Sequence, residues 1–251
     1  MSDSDDSSLL AAIALTLISG VGPRIGQNLL NHFGTEPAIL AASERQLAQV
    51  PGVGPKIARA VREKRDLEDA RRELDRCREL NVRLVKRGEE GYPRLLDETP
   101  DPPRILYCRG ELTEQDGLSV AIVGSRRCTP YGRKQAEHLA RSLARAGMTI
   151  VSGLARGIDA AAHQGALAAG GRTVAVMATG LASVYPPEHA DLARTITEQG
   201  ATISESPLDQ APIRGLFPQR NRIISGMSLG VILVEASRNS GALHTARHAL
   251  E

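Results

Sequence analysis

Short apolar runs alternate with helix-like segments in the C-terminal half of the chain, and this alternation constrains the fold more than any other feature. The predicted strands cover residues 118–123, 148–152, 172–178, 201–204 and 229–235. The predicted helices between them are Tyr131–Ala146, Ile158–Ala169, Glu188–Gln199 and Gln219–Gly226. Strands and helices in alternation form a parallel sheet that is covered on both faces. The pattern therefore predicts an α/β domain over residues 118–251, a Rossmann-like, doubly wound parallel sheet.

The N-terminal part carries an internal repeat between Leu/Ala-rich helical segments. Gly-Val-Gly-Pro followed by a cation begins at Gly20 and again at Gly52, 32 residues later. This is the hairpin of a helix-hairpin-helix, in which glycines let backbone N–H groups approach a phosphate and the cation adds charge. We expect a small all-helical, SAM-like domain over residues 1–80. Its hairpins are either packing modules or a secondary DNA-binding site formed by Gly20, Gly22, Arg24, Gly52, Gly54 and Lys56.

Residues 81–117 are rich in turn signals and are predicted to be a connector that could add an edge strand. Residues 118–251 carry 14 basic and 9 acidic residues, an excess that suits a polyanion and is also common on ordinary surfaces. The three cysteines, Cys77, Cys108 and Cys128, are too widely spaced for a disulfide framework or a zinc site. No stretch is apolar enough to span a membrane and the N-terminus lacks a signal peptide, so we expect a cytoplasmic protein.

The segments next to the predicted strands are rich in glycine and arginine. Ligands of open parallel sheets bind beyond the carboxyl ends of the strands, so a site is expected here. The segment after the first predicted strand lacks the dinucleotide motif Gly-x-Gly-x-x-Gly, and the chain has no Walker A loop. The sequence therefore gives little support to binding of a nicotinamide cofactor or of ATP. Hydroxyls, exposed amides and arginine forks instead suit phosphate. The candidate residues are Gly124, Ser125, Arg126 and Arg127 after the first strand, Ser152, Gly153, Arg156 and Gly157 after the second, and Phe217, Arg220, Asn221 and Arg222 before the fifth.

Two further features bear on the chemistry. Asp159 and His163 are four residues apart on one predicted helix, which favours a cap or a local ionic pair over a catalytic dyad. Aromatic residues that could stack on bases are few, since only Tyr131, Tyr185 and Phe217 lie near the predicted site. We therefore expect binding to depend on phosphate contacts and to weaken steeply with salt.

Several of these motifs together resemble one protein family. They are Gly124-Ser125-Arg126, Ser152 to Asp159 with Ala162-His163, Tyr185-Pro186, Phe217-Pro218 with Arg220 to Gly226, and Val234-Glu235-Ala236. In this order and spacing the chain resembles the DprA/Smf family of bacterial DNA-processing proteins. The resemblance implies a homodimeric protein of natural transformation that coats and protects single-stranded DNA and loads the RecA recombinase. It also implies no catalytic residue, cofactor or metal, and a DNA-backbone pocket lined by Gly124, Ser125, Arg126, Gly153, Arg156, Arg220 and Arg222.

The chain departs from the family pattern at several positions. Ala182 stands where the family has Asp before Tyr-Pro, and Pro187 and Glu188 follow where a cation is common, which predicts one backbone contact fewer. His189 replaces the usual Asn. The sequence ends at Glu251 within the last recognisable helix, so the resemblance predicts a truncated chain whose dimerisation need not match that of full-length members.

Two other classes of function remain open. A nucleotide phosphoribohydrolase would share this type of sheet, but its Pro-Gly-Gly-x-Gly-Thr-x-x-Glu motif is broken in the stretch Asn239–His248, where His248 takes the place of the glutamate. Glu205 and Glu235 at strand ends are expected to cap a helix or to pair with cations. A protein-interaction scaffold that does not hold DNA is the third class.

Overall fold

The computed structural model describes residues 3–237, 241–243 and 245. The chain divides into two compact units, Met1–Asn81 with Asp101–Ile105, and Val82–Pro100 with Leu106–Glu251. Within the described residues, no helix is long and apolar enough to cross a membrane.

The first unit is all-helical, and its two hairpins are built alike. Gly20 and Gly52 have φ angles of +92° and +87°, a region that glycine enters without steric cost. Pro23 and Pro55 are the first residues of the helices that follow, where a fixed φ favours helix initiation and no N–H is lost. The helices are α1 (Asp3–Thr16), α2 (Pro23–Phe33), α3 (Glu36–Ala41), α4 (Glu44–Leu47), α5 (Pro55–Glu63) and α6 (Glu68–Glu79).

The two hairpins pack against each other reciprocally. A β-carbon added to Gly20 would lie 3.5 Å from Ile57 Cγ1, and one added to Gly52 would lie 3.4 Å from Ile25 Cγ1. The first glycine of each hairpin therefore meets the isoleucine of the other. The sequence repeat thus becomes a pseudo-symmetric pair, as the predicted tandem helix-hairpin-helix requires.

The second unit is built on a seven-stranded mixed sheet in the order β1-β2-β6-β5-β4-β3-β7. The strands are β1 (Arg83–Lys86), β2 (Ile105–Gly110), β3 (Ser119–Gly124), β4 (Thr149–Ser152), β5 (Thr173–Val176), β6 (Ala201–Ser204) and β7 (Val231–Val234). The last five are parallel neighbours, whereas β2 is antiparallel to β6. The helices are α7 (Arg94–Asp97), α8 (Pro130–Arg145), α9 (Ile158–Ala168), α10 (Ala190–Gln199) and α11 (Leu216–Gly226).

The predicted Rossmann-like fold is confirmed. Each of the five predicted strands and four predicted helices has an observed counterpart that begins and ends within a few residues of it. The segment 81–117 supplies β1 and β2 to the sheet, so it is part of the layer rather than only a link.

The sheet buries apolar side chains on both faces, as a doubly wound fold requires. On one face, Ile122 and Ile150 pack with the alanines of α8 and α9. On the other, Val123 and Val151 pack with Ile223 and Ile224 of α11. The alternation of adjacent residues 122 and 123 follows from the two-residue period of a strand.

The strand order places a switch point between β3 and β7. The chain leaves β3 through α8 and enters β4 on one side of it, whereas it enters β7 on the other side after α11. Connections that diverge in this way leave a crevice at the carboxyl ends of the two strands, where ligands of open α/β sheets bind.

Candidate functional site

A cleft of about 890 Å³ opens at this switch point. Four arginines line it, Arg126, Arg127, Arg214 and Arg220, and Asp159 is the one carboxylate among its described lining residues. The other lining residues that concern recognition are Gly124, Ser125, Ala155, Tyr185, Pro212, Phe217, Pro218 and Asn221. The cleft is therefore an electropositive concavity that suits an anion.

The turn after β3 contributes side chains more than backbone donors. The Ser125 amide donates to Glu235 O at 2.8 Å, and the Arg127 amide donates to Ser125 Oγ at 3.1 Å. These two amides are therefore occupied. Arg126 and Arg127 are exposed, so their guanidinium groups are available as donors to an anion.

The glycines of the site allow close approach rather than contact with a ligand. A β-carbon on Gly124 would lie 1.9 Å from Val234 O, and one on Gly153 would lie 1.8 Å from Arg220 Nη1. Gly157 has a φ of +79°, and its β-carbon would lie 2.3 Å from Ser125 O. At each of these positions the absence of a side chain thus lets the backbone pack directly against the atom named.

Arg220 forms the floor of the cleft. Its side chain is buried and Nη1 donates to Val176 O at 2.5 Å. Burial lowers the pKa of Arg220 to about 10, an effect that Asp159 opposes and Arg126 adds to. Because this pKa is still far above 7, the floor of the cleft stays cationic at neutral pH.

Asp159 organises the loop in front of α9. Its carboxylate accepts from the amides of Gly153 at 3.2 Å and Ala155 at 3.4 Å. Burial raises its pKa, while the charge of Arg220 is the largest opposing influence. The N-cap of α9, Gly157, has no side-chain cap, so the carboxylate orders the preceding loop rather than capping the helix.

His163 belongs to the core rather than to a dyad with Asp159. Its Nδ1 lies 2.7 Å from Thr173 Oγ1, whose hydroxyl donates to Ile150 O, so Nδ1–H is the donor to Thr173. Burial lowers the pKa of His163 to about 3, which keeps the ring neutral at pH 7.

Arg126, Phe217 and Tyr185 form a small cluster at the cleft. The Arg126 guanidinium lies 4.9 Å from the centroid of the Phe217 ring, and the Tyr185 ring centroid is 5.8 Å from that of Phe217. Cation–π contact holds the guanidinium in place without consuming its hydrogen-bond donors. Tyr131, the third stacking candidate, is 73% exposed but is not among the residues that line the cleft.

The candidate residues do not all reach the cleft. Arg156 lies in a recess beside it with Arg126 and Arg220, and is ion-paired with Glu188. Arg222 is buried and ion-paired with Glu205, away from the cleft lining. Ser152 is buried and donates to Ile122 O, so it supports the strand end.

Asn221 lies in the cleft lining, where its Nδ2 donates to Gly241 O at 3.1 Å. The sequence interpretation missed Arg214, which stands in an irregular loop without a motif. That loop follows the carboxyl end of β6, so the strand-end rule could have included it.

The two carboxylates at strand ends have structural partners, as predicted. Glu205 pairs with Arg222, and the Glu235 carboxylate accepts from the Thr129 amide at 2.9 Å and from Thr129 Oγ1 at 2.9 Å, next to the start of α8. The altered hydrolase motif, Asn239–His248, falls mostly outside the described residues. No group of three or more His, Cys, Asp or Glu residues in the described part of the chain could hold a metal ion.

The hairpins of the first unit present their candidate residues to solvent. Gly22 and Gly54 are the N-caps of α2 and α5, and neither helix start has a side-chain cap. Arg24 and Lys56, each in the first turn, are exposed. Cations and uncapped amides therefore face outward at both hairpins.

The chain thus combines a Rossmann-like fold that carries an arginine-lined cleft with a tandem helix-hairpin-helix unit. Residues 83–251 match the family described as DNA recombination-mediator protein A, and residues 12–65 match the SAM-like helix-hairpin-helix tandem. The chain belongs to the DNA recombination-mediator protein A family, the DprA/Smf family of the sequence resemblance.

Three relatives illustrate the likeness. Protein Smf of Synechocystis sp. is 38% identical over 95% of this chain and 61% of its own length. The crystal structure of DNA processing protein A from Streptococcus pneumoniae superposes with a TM-score of 0.82 at 32% identity, over 96% of this chain and 83% of that one. DNA processing protein A from Helicobacter pylori, described for its single-stranded DNA binding mode, has a TM-score of 0.60 at 36% identity, over 67% of this chain and 75% of that one. The chain spans 61% and 46% of the lengths of its Synechocystis and Escherichia coli relatives.

Proposed function

We propose that this protein binds single-stranded DNA by contacting the phosphate backbone of the DNA, and that it acts in DNA processing during natural transformation. The observation that carries the proposal is the cleft at the β3/β7 switch point, where four arginines stand against one carboxylate among the described lining residues. Family membership and the single-stranded DNA binding of the Helicobacter pylori relative support it.

The contacts fall into two groups under this proposal. Arg126, Arg127 and Arg214 bind successive phosphates as exposed forks, and Arg220 supplies fixed charge from below. Phe217 and Tyr185 provide one stacking surface, which limits the contribution of the bases. Gly124, Ser125, Ser152, Gly153 and Gly157 shape the loops, and Arg222 holds α11 to Glu205 instead of contacting DNA.

The protein would act by binding, without turnover, in the cytoplasm. The expected partners are single-stranded DNA, the RecA recombinase that receives it, and a second copy of the chain in full-length members. Glu205 and Glu235, the carboxylates nearest to the strand ends, already hold Arg222 and Thr129. An assay for base release from nucleoside monophosphates should therefore give none.

Salt titration with an exposed arginine variant tests the proposal. For single strands, log K falls with log salt by about 0.7 for each phosphate neutralised. By fluorescence anisotropy on a labelled oligo-dT, Arg126→Ala should weaken binding by about ten-fold and reduce the slope by about 0.7. Arg194→Ala, an exposed arginine paired with Asp191 outside the cleft lining, is the matched control. Equal affinities and slopes for the two variants would exclude Arg126 from the phosphate contacts, and absence of binding by the unmodified protein would support the scaffold alternative instead.

A further inference from the structure

Two loops beside the cleft are fixed to each other. The first, between β4 and α9, carries Arg156, and the second, between β5 and α10, carries Glu188 in a short 3-10 turn, Pro187–His189. His189 Nδ1 donates to Leu154 O at 2.8 Å and so joins the loops one residue after Glu188 and two before Arg156. The two charged side chains are therefore held within reach of each other.

Arg156 and Glu188 form an ion pair at the edge of the proposed DNA path. Arg156 Nε donates to Glu188 Oε1 at 2.5 Å, and the two side chains remain 53% and 50% exposed. Arg156 lines the recess that also contains Arg126, Arg220 and Tyr185. The Glu188 carboxylate thus occupies the Nε donor of Arg156, a residue that lines the same recess as the cleft residues Arg126 and Arg220.

A carboxylate and a phosphate bind a guanidinium in the same way, through charge-assisted N–H···O bonds. The hydrogen bond from Arg156 is the largest cause that lowers the pKa of Glu188, so the carboxylate remains ionised at neutral pH. A DNA phosphate that approaches Arg156 must therefore compete with the Glu188 carboxylate for the guanidinium. Exposed ion pairs are weak enough for such displacement to occur.

We propose that Glu188 is an internal competitor that occupies Arg156 in place of a DNA phosphate and thereby lowers the affinity of the cleft for single-stranded DNA. The proposal rests on the proposed function, since it concerns the same anion site. It names Glu188 as an affinity-determining residue and Arg156 as a phosphate contact that is used only after the pair opens.

A double-mutant cycle tests this role, with Glu188→Gln, Arg156→Ala and the double variant measured on labelled oligo-dT across a salt series. Glu188→Gln should tighten binding by about two- to five-fold, the range expected for an exposed ion pair. Its salt slope should steepen by about 0.7, because one more phosphate is neutralised. In the Arg156→Ala background the same change should have no effect. Asp191→Asn is the matched control. Asp191 lies three residues after Glu188, and the change likewise removes a negative charge from an exposed ion pair, here with Arg194.

The outcomes separate the two proposals. If the unmodified protein shows no salt-dependent binding of single strands, the proposed function fails and this inference fails with it. If the unmodified protein binds as expected but Glu188→Gln behaves like Asp191→Asn, only the inference is overturned. A tightening that persists in the Arg156→Ala background also overturns it, because the effect would then be general repulsion. Thermal melting of each variant checks that the fold is retained.

Discussion

The arginine-lined cleft and the paired hairpins both suit an anion, but they are constructed in opposite ways. In the cleft, the amides of Ser125 and Arg127 are bonded within the protein, and the donors are arginine side chains over a buried cationic floor. In the hairpins, the helix starts have no side-chain caps, and the backbone around Gly22 and Gly54 is open to solvent.

Recognition is tied to stability in the cleft but not at the hairpins. Gly124 and Arg220 are part of the packing of the second unit, so changes near the cleft disturb the fold and the site together. A β-carbon on Gly22 or Gly54 would meet nothing within 4 Å. We therefore expect large stability effects around the cleft and small ones at the hairpins.

The largest effect is expected at Arg222. Its side chain and that of Glu205 are only 9% and 14% exposed, so Arg222→Ala takes the charge of Arg222 away from a largely buried carboxylate. Removing one member of a buried pair costs about 3 to 5 kcal/mol, and the loss should appear in urea unfolding. Arg222→Met with Glu205→Leu should recover most of it, because no charge is then stranded.

Binding by the folded fraction of these Arg222 variants separates the structural role from a DNA contact. If Arg222 acts only as a support, the folded fraction of the double variant should bind oligo-dT like the unmodified protein. A ten-fold loss of affinity in a double variant as stable as the unmodified protein would instead place Arg222 among the phosphate contacts, together with Arg220.

Gly124→Ala should give an intermediate effect. The added methyl would lie 1.9 Å from Val234 O and 2.7 Å from Ile158 Cγ1, and the backbone oxygen cannot move without distorting β7. Overpacking of this kind costs about 1 to 3 kcal/mol. Gly117→Ala is the control in the same unit, since its β-carbon would meet nothing within 4 Å. Indistinguishable urea midpoints for the two variants would show that this strand end is less tightly packed than the structure indicates.

The sequence predicted the fold of the second unit well, for a physical reason. Short apolar runs such as 120–123 and 174–178 are continuous because both faces of a parallel sheet are buried. The antiparallel pairing of β2 with β6 was not predictable, because Ile105 to Tyr107 carries no signal for the direction of its partner. Strand order depends on contacts between distant segments, which a local pattern does not contain.

For the site, the strand-end rule found the turn after β3 and the floor residue Arg220. This rule could not distinguish the role of Arg222 from that of Arg220. Residues two positions apart on a helix are rotated by about 200° about its axis, so the two side chains face different surroundings. The partner of Arg222, Glu205, becomes visible only when β6 is placed beside α11. The Arg156–Glu188 pair joins residues 32 positions apart in two loops, and no sequence spacing predicts such a contact.

The smallest effect on stability is expected at the hairpins, and it gives the sharpest contrast with Gly124. Gly22 and Gly54 have φ angles of −73° and −85°, which any residue adopts, so neither conformation nor packing requires glycine there. Alanine is a poorer N-cap than glycine but restricts the unfolded chain, so the net change for Gly22→Ala with Gly54→Ala should stay within about 0.5 kcal/mol.

The same double variant tests whether the hairpins bind DNA. If their backbone approaches phosphates, two added methyl groups should weaken binding to a labelled duplex several-fold, while oligo-dT binding in the cleft is retained. Gly117→Ala again serves as the control. Unchanged duplex affinity would identify the hairpins as packing modules, and the second glycine of each hairpin would then have no explanation in the described contacts. A loss of duplex binding without loss of stability would show that the hairpins are a second anion site, energetically independent of the core.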